Sequence, residues 1–221
     1  MKISLTMIIS GSEKVEDIQR CLNSVNKYVD GIFITITTKT KNNELEVACE
    51  RYGANVDYQP DKFFKTVDKD TITWLTKFLG EKPSLMRGDR IFDFSMARNH
   101  NMNLVPKDFD WILWMDTDDI FRGGKNLRQM VETADQQQIE SIFLNYIYQA
   151  ELEDGKIKHI LIEHLRERLI KNTGIYEWIA PIHETLIEKR PTKKIDFKDS
   201  DILKIVDSVA WHLIQRSNSS E

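Results

Sequence analysis

Residues 111–120 read W-I-L-W-M-D-T-D-D-I. Three carboxylates, Asp116, Asp118 and Asp119, follow directly on an apolar run, Trp111 to Met115. Carboxylates packed together repel, and one of them then resists ionisation unless a positive partner is present. A divalent cation is such a partner. All-oxygen ligands suit Mg²⁺ or Mn²⁺ rather than zinc, and these ions are usually completed by waters and substrate phosphates. The ligand so implied is a diphosphate, with a nucleotide as its carrier. A lone D-x-D is more often a solvated turn that uses Asp as a turn former. The apolar run in front of this one favours the binding reading, because open α/β sheets bind ligands just outside the carboxyl ends of their strands.

The elements before the acidic cluster alternate strand and helix. Ile3 to Ile9 reads as a buried strand. Ser12 is expected to cap a helix carrying Val15, Ile18, Cys21, Leu22 and Val25 near i, i+3, i+4, i+7 spacing. Ile32 to Thr37 follows as a second strand, Glu44 to Tyr52 as a helix stopped by Gly53, and Ala54 to Tyr58 as a third strand. That order implies parallel pairing with right-handed crossovers. Thr71 to Leu79 reads as a helix, and Gly80 to Arg90 as a long loop. Asp93 opens a further helix ahead of the fourth strand, Trp111 to Met115, and Asn126 to Gln136 is helical. From Ser141 the texture becomes β-rich. Asp154-Gly155 signals a hairpin between Ser141–Leu152 and Ile157–Ile162. Further strands are expected at Arg166 to Lys171, near Trp178, at Thr185 to Glu188 and at Leu203 to Leu213. The fold class is α/β: a nucleotide-binding half with a parallel sheet over 1–120, then a mixed or antiparallel acceptor-side half over 121–215, with a frayed tail at 216–221.

The totals agree with one such domain. The chain has 221 residues, is 41% hydrophobic, and carries 31 basic and 35 acidic side chains for a formal charge of -4. That balance disfavours a protein built to grip nucleic-acid phosphates. Cys21 and Cys49 read as small core residues. The N-terminus reads as a first strand rather than a signal peptide, and no segment approaches the length of a membrane helix, so a cytoplasmic location is expected.

D-F-S-M-A-R-N-H-N-M-N-L followed by D-W-I-L-W-M-D-T-D-D resembles the family-2 glycosyltransferases of GT-A fold, in the bacterial branch with a D-F-S-x-A-R-N helix. I-S-G-S-E-K-V-E-D-I-Q-R-C-L-N-S-V is similar to that family's first loop and helix, and W-I-A-P-I-H-E-T-L to its tryptophan followed by V-H-E. The resemblance covers roughly residues 3–215. It implies a metal-dependent, inverting transfer from a nucleoside-diphosphate sugar, a UDP-sugar first among donors, with Mn²⁺ or Mg²⁺ as cofactor. It implies that Asp116, Asp118 and His212 serve the metal. Ser10, Ser12, Glu13, Thr37, Asp93, Arg98, Asp116 and Thr117 would serve the nucleotide sugar, with Asp93 facing the base. Glu184 and His183 would lie on the acceptor side. The second strand departs from the family: it ends I-T-I-T-T-K-T without an acid, so either Thr37 or Thr38 takes that place or base and ribose recognition differs.

Inverting transfer needs a stabilised leaving diphosphate, a base for the acceptor proton and in-line positioning. Glu184, behind Trp178 and Pro181, is the first candidate for the base, with His183 and Asp119 after it. Trp178 is the tryptophan placed to stack on a sugar; Trp74, Trp111 and Trp114 read as core or interface. The acceptor is a glycan, a lipid-linked sugar or a peptide side chain, and a homo-oligomer is left open. The competing reading is a nucleotide-sugar-binding module without catalysis. A D-x-D phosphatase fits less well, because the motif is mid-chain and Ile120 stands where Thr or Val is expected.

Overall fold

The computed structural model describes residues 1–38, 41–153, 156–192, 194–196 and 204–207. His212, the D-G turn and the 216–221 tail lie outside the described residues. The first part of the chain runs β1 (Ile3–Ile9), α1 (Val15–Val25), β2 (Gly31–Ile36), α2 (Asn43–Glu50), β3 (Ala54–Tyr58), β4 (Phe64–Thr66), α3 (Lys69–Leu79), β5 (Arg90–Phe92), α4 (Phe94–Asn103) and β6 (Trp111–Trp114). It continues with β7 (Asp119–Arg122), α5 (Leu127–Gln136), β8 (Ser141–Glu153), β9 (Lys156–Lys171), β10 (Tyr176–Ile179), β11 (Thr185–Glu188), β12 (Lys194–Asp196) and β13 (Lys204–Asp207).

One mixed sheet has the order β3-β2-β1-β6-β9-β8-β13-β7, with β12 also pairing β8. The β3-β2-β1-β6 segment is parallel, and β9 then joins β6 antiparallel. The fold is therefore α/β with a parallel portion leading the sheet. Side chains on one sheet face pack on Ile18, Cys21, Leu22 and Val25 of α1, Leu45 and Cys49 of α2, and Leu127, Met130 and Val131 of α5. The opposite face packs Phe33, Ile112 and Ile170 against Val105 and Tyr176. Covered on both faces, the strands need near-continuous apolar runs, which is what Ile3 to Ile9 and Trp111 to Met115 supply.

Several expectations change. Ser12 does not cap α1: the N-cap is Lys14, without a side-chain bond. Glu13 instead folds the preceding loop onto itself, accepting from the Ser10 and Gly11 N–H groups at 3.0 and 2.7 Å. The two strands expected over Ile157–Ile162 and Arg166–Lys171 are one continuous strand, β9, which stays in contact with β8 through several register shifts. Alternation breaks at those shifts, so the run read as two pieces. β4 and β5 form a small antiparallel ribbon across the stretch read as irregular. β7, which begins at the last carboxylate of the acidic cluster, is also not expected from the sequence.

Candidate active site

The site is built around α4, whose polar side chains point inward. Asp93 is its N-cap, accepting from the Met96 N–H at 3.0 Å and from the Ser95 hydroxyl at 2.6 Å. One turn on, Ala97 is fully buried. Asn101 donates to the Phe33 carbonyl and the Thr35 hydroxyl of β2. Asn99 pairs with both backbone groups of Trp178, each at 2.8 Å. His100 meets Asp57 of β3 at 2.6 Å. Buried polar groups must be partnered; here the partners are the strands and loops that α4 has to hold in place.

Arg98 is the centre of this arrangement. Its Nη2 donates to Asp116 Oδ1 and its Nε to Glu184 Oε1, both at 2.6 Å. The guanidinium lies against both Trp114 and Trp178, 4.8 and 5.1 Å from their ring centroids. One side chain on α4 thus ties the end of β6 to the loop before β11. That loop is strained: Ala180 and His183 take φ of 74° and 54°, a region non-glycine residues seldom occupy. A second hold on α4 is the Phe94 N–H donated to the Pro181 carbonyl at 3.0 Å.

The three carboxylates have different surroundings. Asp119 is fully buried; its Oδ2 lies 3.0 Å from Arg168 Nη1 and accepts from the Asp116 N–H at 2.9 Å. Asp116 is shared between Arg98 and, at 3.8 Å, Arg168. Burial opposes charge on Asp116, but the two guanidiniums outweigh it and hold its carboxyl below the usual range. Arg168 sits at a register shift, where β9 spends two residues against one step of β8. Asp118 faces a cavity of about 650 Å³ with Arg98, Asp116, Arg166, Arg168 and Glu184. Among the described residues, Arg166 has no ion pair; its guanidinium lies 5.4 Å from the Trp114 ring centroid.

Arg98, Asp116, Asp118, His183 and Glu184 are therefore brought together at one cavity. Asp93 is 5% exposed and committed to the helix cap. Thr37 donates to the Ile9 carbonyl, and both Thr37 and Thr117 are buried. Ser10, Ser12 and Glu13 hydrogen-bond to one another at the carboxyl end of β1. Trp178, 3% exposed and edge-on to Trp114, has no face to offer a sugar. Sequence reasoning did not single out Arg166 or Arg168, and the only signal was their i, i+2 spacing in R-E-R, which puts two cations on one strand face.

The donor set fits a hard divalent cation. Asp116 and Asp118 are two carboxylates on one cavity, and such ions take one or two carboxylates plus substrate phosphates. Among the described residues, no group of three His, Cys, Asp or Glu side chains exists to cage a metal without substrate.

No family model and no curated protein matches the chain. Among solved structures, S. aureus TarS aligns with 92% of this chain and 36% of its own, at 12% identity and TM-score 0.48. A 4-diphosphocytidyl-2C-methyl-D-erythritol synthase from Anaerococcus prevotii aligns over 79% and 71%, at 12% identity and TM-score 0.40. The mannosyltransferase PcManGT from Pyrobaculum calidifontis, solved with GDP-Man and Mn²⁺, aligns over 65% and 35%, at 8% identity and TM-score 0.38. TarS 1–349 has also been solved with UDP-GlcNAc, and this chain spans 36% of that structure. No helix among the described residues is long and apolar enough to cross a membrane.

Proposed function

We propose that the protein transfers a sugar from a nucleoside-diphosphate sugar, with UDP-sugars the first donors to test, to an acceptor hydroxyl with inversion. One observation carries this reading. A single guanidinium, Arg98, holds the strand-end carboxylate Asp116 and the loop carboxylate Glu184 on the same cavity, at 2.6 Å each. Inversion in one displacement needs the leaving diphosphate and the base for the acceptor on opposite sides of one sugar, at fixed separation.

In this reading the nucleoside lies along the carboxyl ends of β1 and β2, and the diphosphate enters the cavity beside Asp118. Arg166 donates to the departing phosphate and stabilises the charge that develops there. Glu184 takes the acceptor proton. Its Oε1 accepts from Arg98, which fixes the orientation of the carboxylate; Oε2 carries no hydrogen bond among the described residues and is the oxygen presented to the hydroxyl. Asp118 and Asp116 would hold Mn²⁺ or Mg²⁺, which supplies positive charge to the leaving diphosphate.

The test is nucleoside-diphosphate release from a panel of UDP- and GDP-sugars, with Mn²⁺, with Mg²⁺ and with chelator. We expect release from at least one donor, at least a hundredfold slower in Asp118→Ala. Unchanged release in that variant, or none from any donor, overturns the reading; donor binding without release leaves a nucleotide-sugar binder.

A further inference from the structure

A second cavity, of about 520 Å³, adjoins the first and shares Phe78, His183 and Thr185 with it. Its floor is aromatic. Trp74 and Phe78, four apart on α3, stack with centroids 5.3 Å apart and planes 14° from parallel. The His183 ring continues the stack, 5.1 Å from Phe78 at 27°. Phe78 is 52% exposed. A helix that leaves a phenylalanine ring in water, beside a strained loop that puts a histidine ring against it, is maintaining a surface that folding alone does not require.

We infer that this groove seats the acceptor and that the acceptor is a carbohydrate, lying against the Trp74–Phe78–His183 wall; the inference rests on the sugar-transfer reading for what then happens to its hydroxyl. Three observations choose a sugar over the alternatives. The rings lie in nearly parallel planes and line the cavity as one continuous aromatic wall, apolar surface that the carbon–hydrogen face of a pyranose can cover. Asp70 and Lys65 stand beside them as an acceptor and a donor for hydroxyls, a polar rim that a hydrocarbon chain would leave unused. An extended peptide needs backbone partners along its length, whereas Pro181 in this wall has no N–H and its carbonyl already accepts from the Phe94 N–H. Because His183 and Thr185 flank Glu184, a sugar on these rings delivers its edge to the carboxylate.

The test is ligand-observed saturation-transfer NMR on the full chain. Its probes are methyl glycosides and short oligosaccharides of glucose, galactose, mannose and N-acetylglucosamine, beside decyl phosphate and an unglycosylated Ser/Thr peptide. We expect saturation of the ring protons of at least one sugar, an affinity at least tenfold weaker in Trp74→Ala, and recovery in Trp74→Tyr. Should Trp74→Ala fail to fold, the exposed Phe78→Ala carries the same expectation. Saturation of decyl phosphate or peptide alone, of no probe, or equally in the variants overturns the assignment. A sugar carried on a lipid is distinguished from a free glycan by whether the methyl glycoside suffices. No donor is needed, so the two readings fail separately. Nucleotide-sugar hydrolysis without sugar binding sinks only the groove. Sugar binding without hydrolysis sinks only the transferase.

Discussion

Asp119 and Arg168 are 0% and 1% exposed, and their ion pair lies directly under the cavity. Removing one partner of a buried pair strands the other charge, at a cost of about 3–5 kcal/mol, whereas replacing both with neutral groups costs much less. Arg168→Met is therefore expected to lower urea-unfolding stability by about that amount, and Arg168→Met with Asp119→Asn to recover at least half of it. Additive losses in the cycle would show that the pair is not coupled. The sequence hid this role because the three carboxylates were read as one set. The cue was alternation: Asp119 and Phe121 share a face of β7, and Phe121 is core. The tryptophans were legible only in type. Trp178 and Trp74 are both aromatic beside polar residues, and only the packing of α4 on the β10 hairpin decides that the first is buried while the second stays half-exposed at the second cavity.

At the scale of elements, α4 was legible as a helix but not as a clamp. Its periodic signal is weak because Ser95, Arg98 and Asn101 occupy its buried face. A helix that buries polar groups must find each a partner, and those of Arg98 and Asn101 sit on three other segments: β2, the end of β6 and the loop before β11. The cap tests what Asp93 is for. Losing an N-cap acceptor costs about 1 kcal/mol, while Asn caps about as well as Asp. We expect Asp93→Ala to lose about 1–2 kcal/mol in urea unfolding and Asp93→Asn a few tenths, with nucleoside-diphosphate affinity held in Asp93→Asn. A collapse of that affinity in Asp93→Asn, with stability kept, would return Asp93 to the base-contacting role that the sequence resemblance implied. Gly11 was equally silent in sequence. It has φ of 91°, and a Cβ there would come within 1.7 Å of Thr38 Cγ2, so the first loop packs directly on the end of β2. The strand ends were read well because continuous apolar runs mark buried parallel strands; β9 was not, because bulges break the period that pattern reading depends on.

For the whole molecule, the same carboxylates that build the site also set how stability depends on pH. Asp30, Asp57 and Asp116 each sit in an environment where burial opposes their charge but partners outweigh it: Arg128 and the Ile3 N–H for Asp30, Gln59 and His100 for Asp57, Arg98 and Arg168 for Asp116. All three carboxyls lie below their ordinary 3.8, so between the two values the unfolded chain binds more protons than the native one. Their contribution is complete above about pH 4 and is lost as pH falls through the native values. These contacts join distant parts of the fold, β1 to α5 through Asp30, β3 to α4 and the end of β6 to α4, so acid loosens the site and the frame together. The alkaline edge has the opposite sign. Burial pushes the Tyr176 hydroxyl up to about 12 from 10.0, so its contribution is complete below 10 and is lost as pH rises toward 12. Urea midpoints across pH 2.5 to 11.5 should therefore form a plateau that falls at both ends. Tyr176→Phe should hold the alkaline side up relative to the wild type, and Asp57→Asn should flatten part of the acid fall while lowering the plateau. A midpoint that rises below pH 4 would contradict the arginine-held carboxylates on which the site depends.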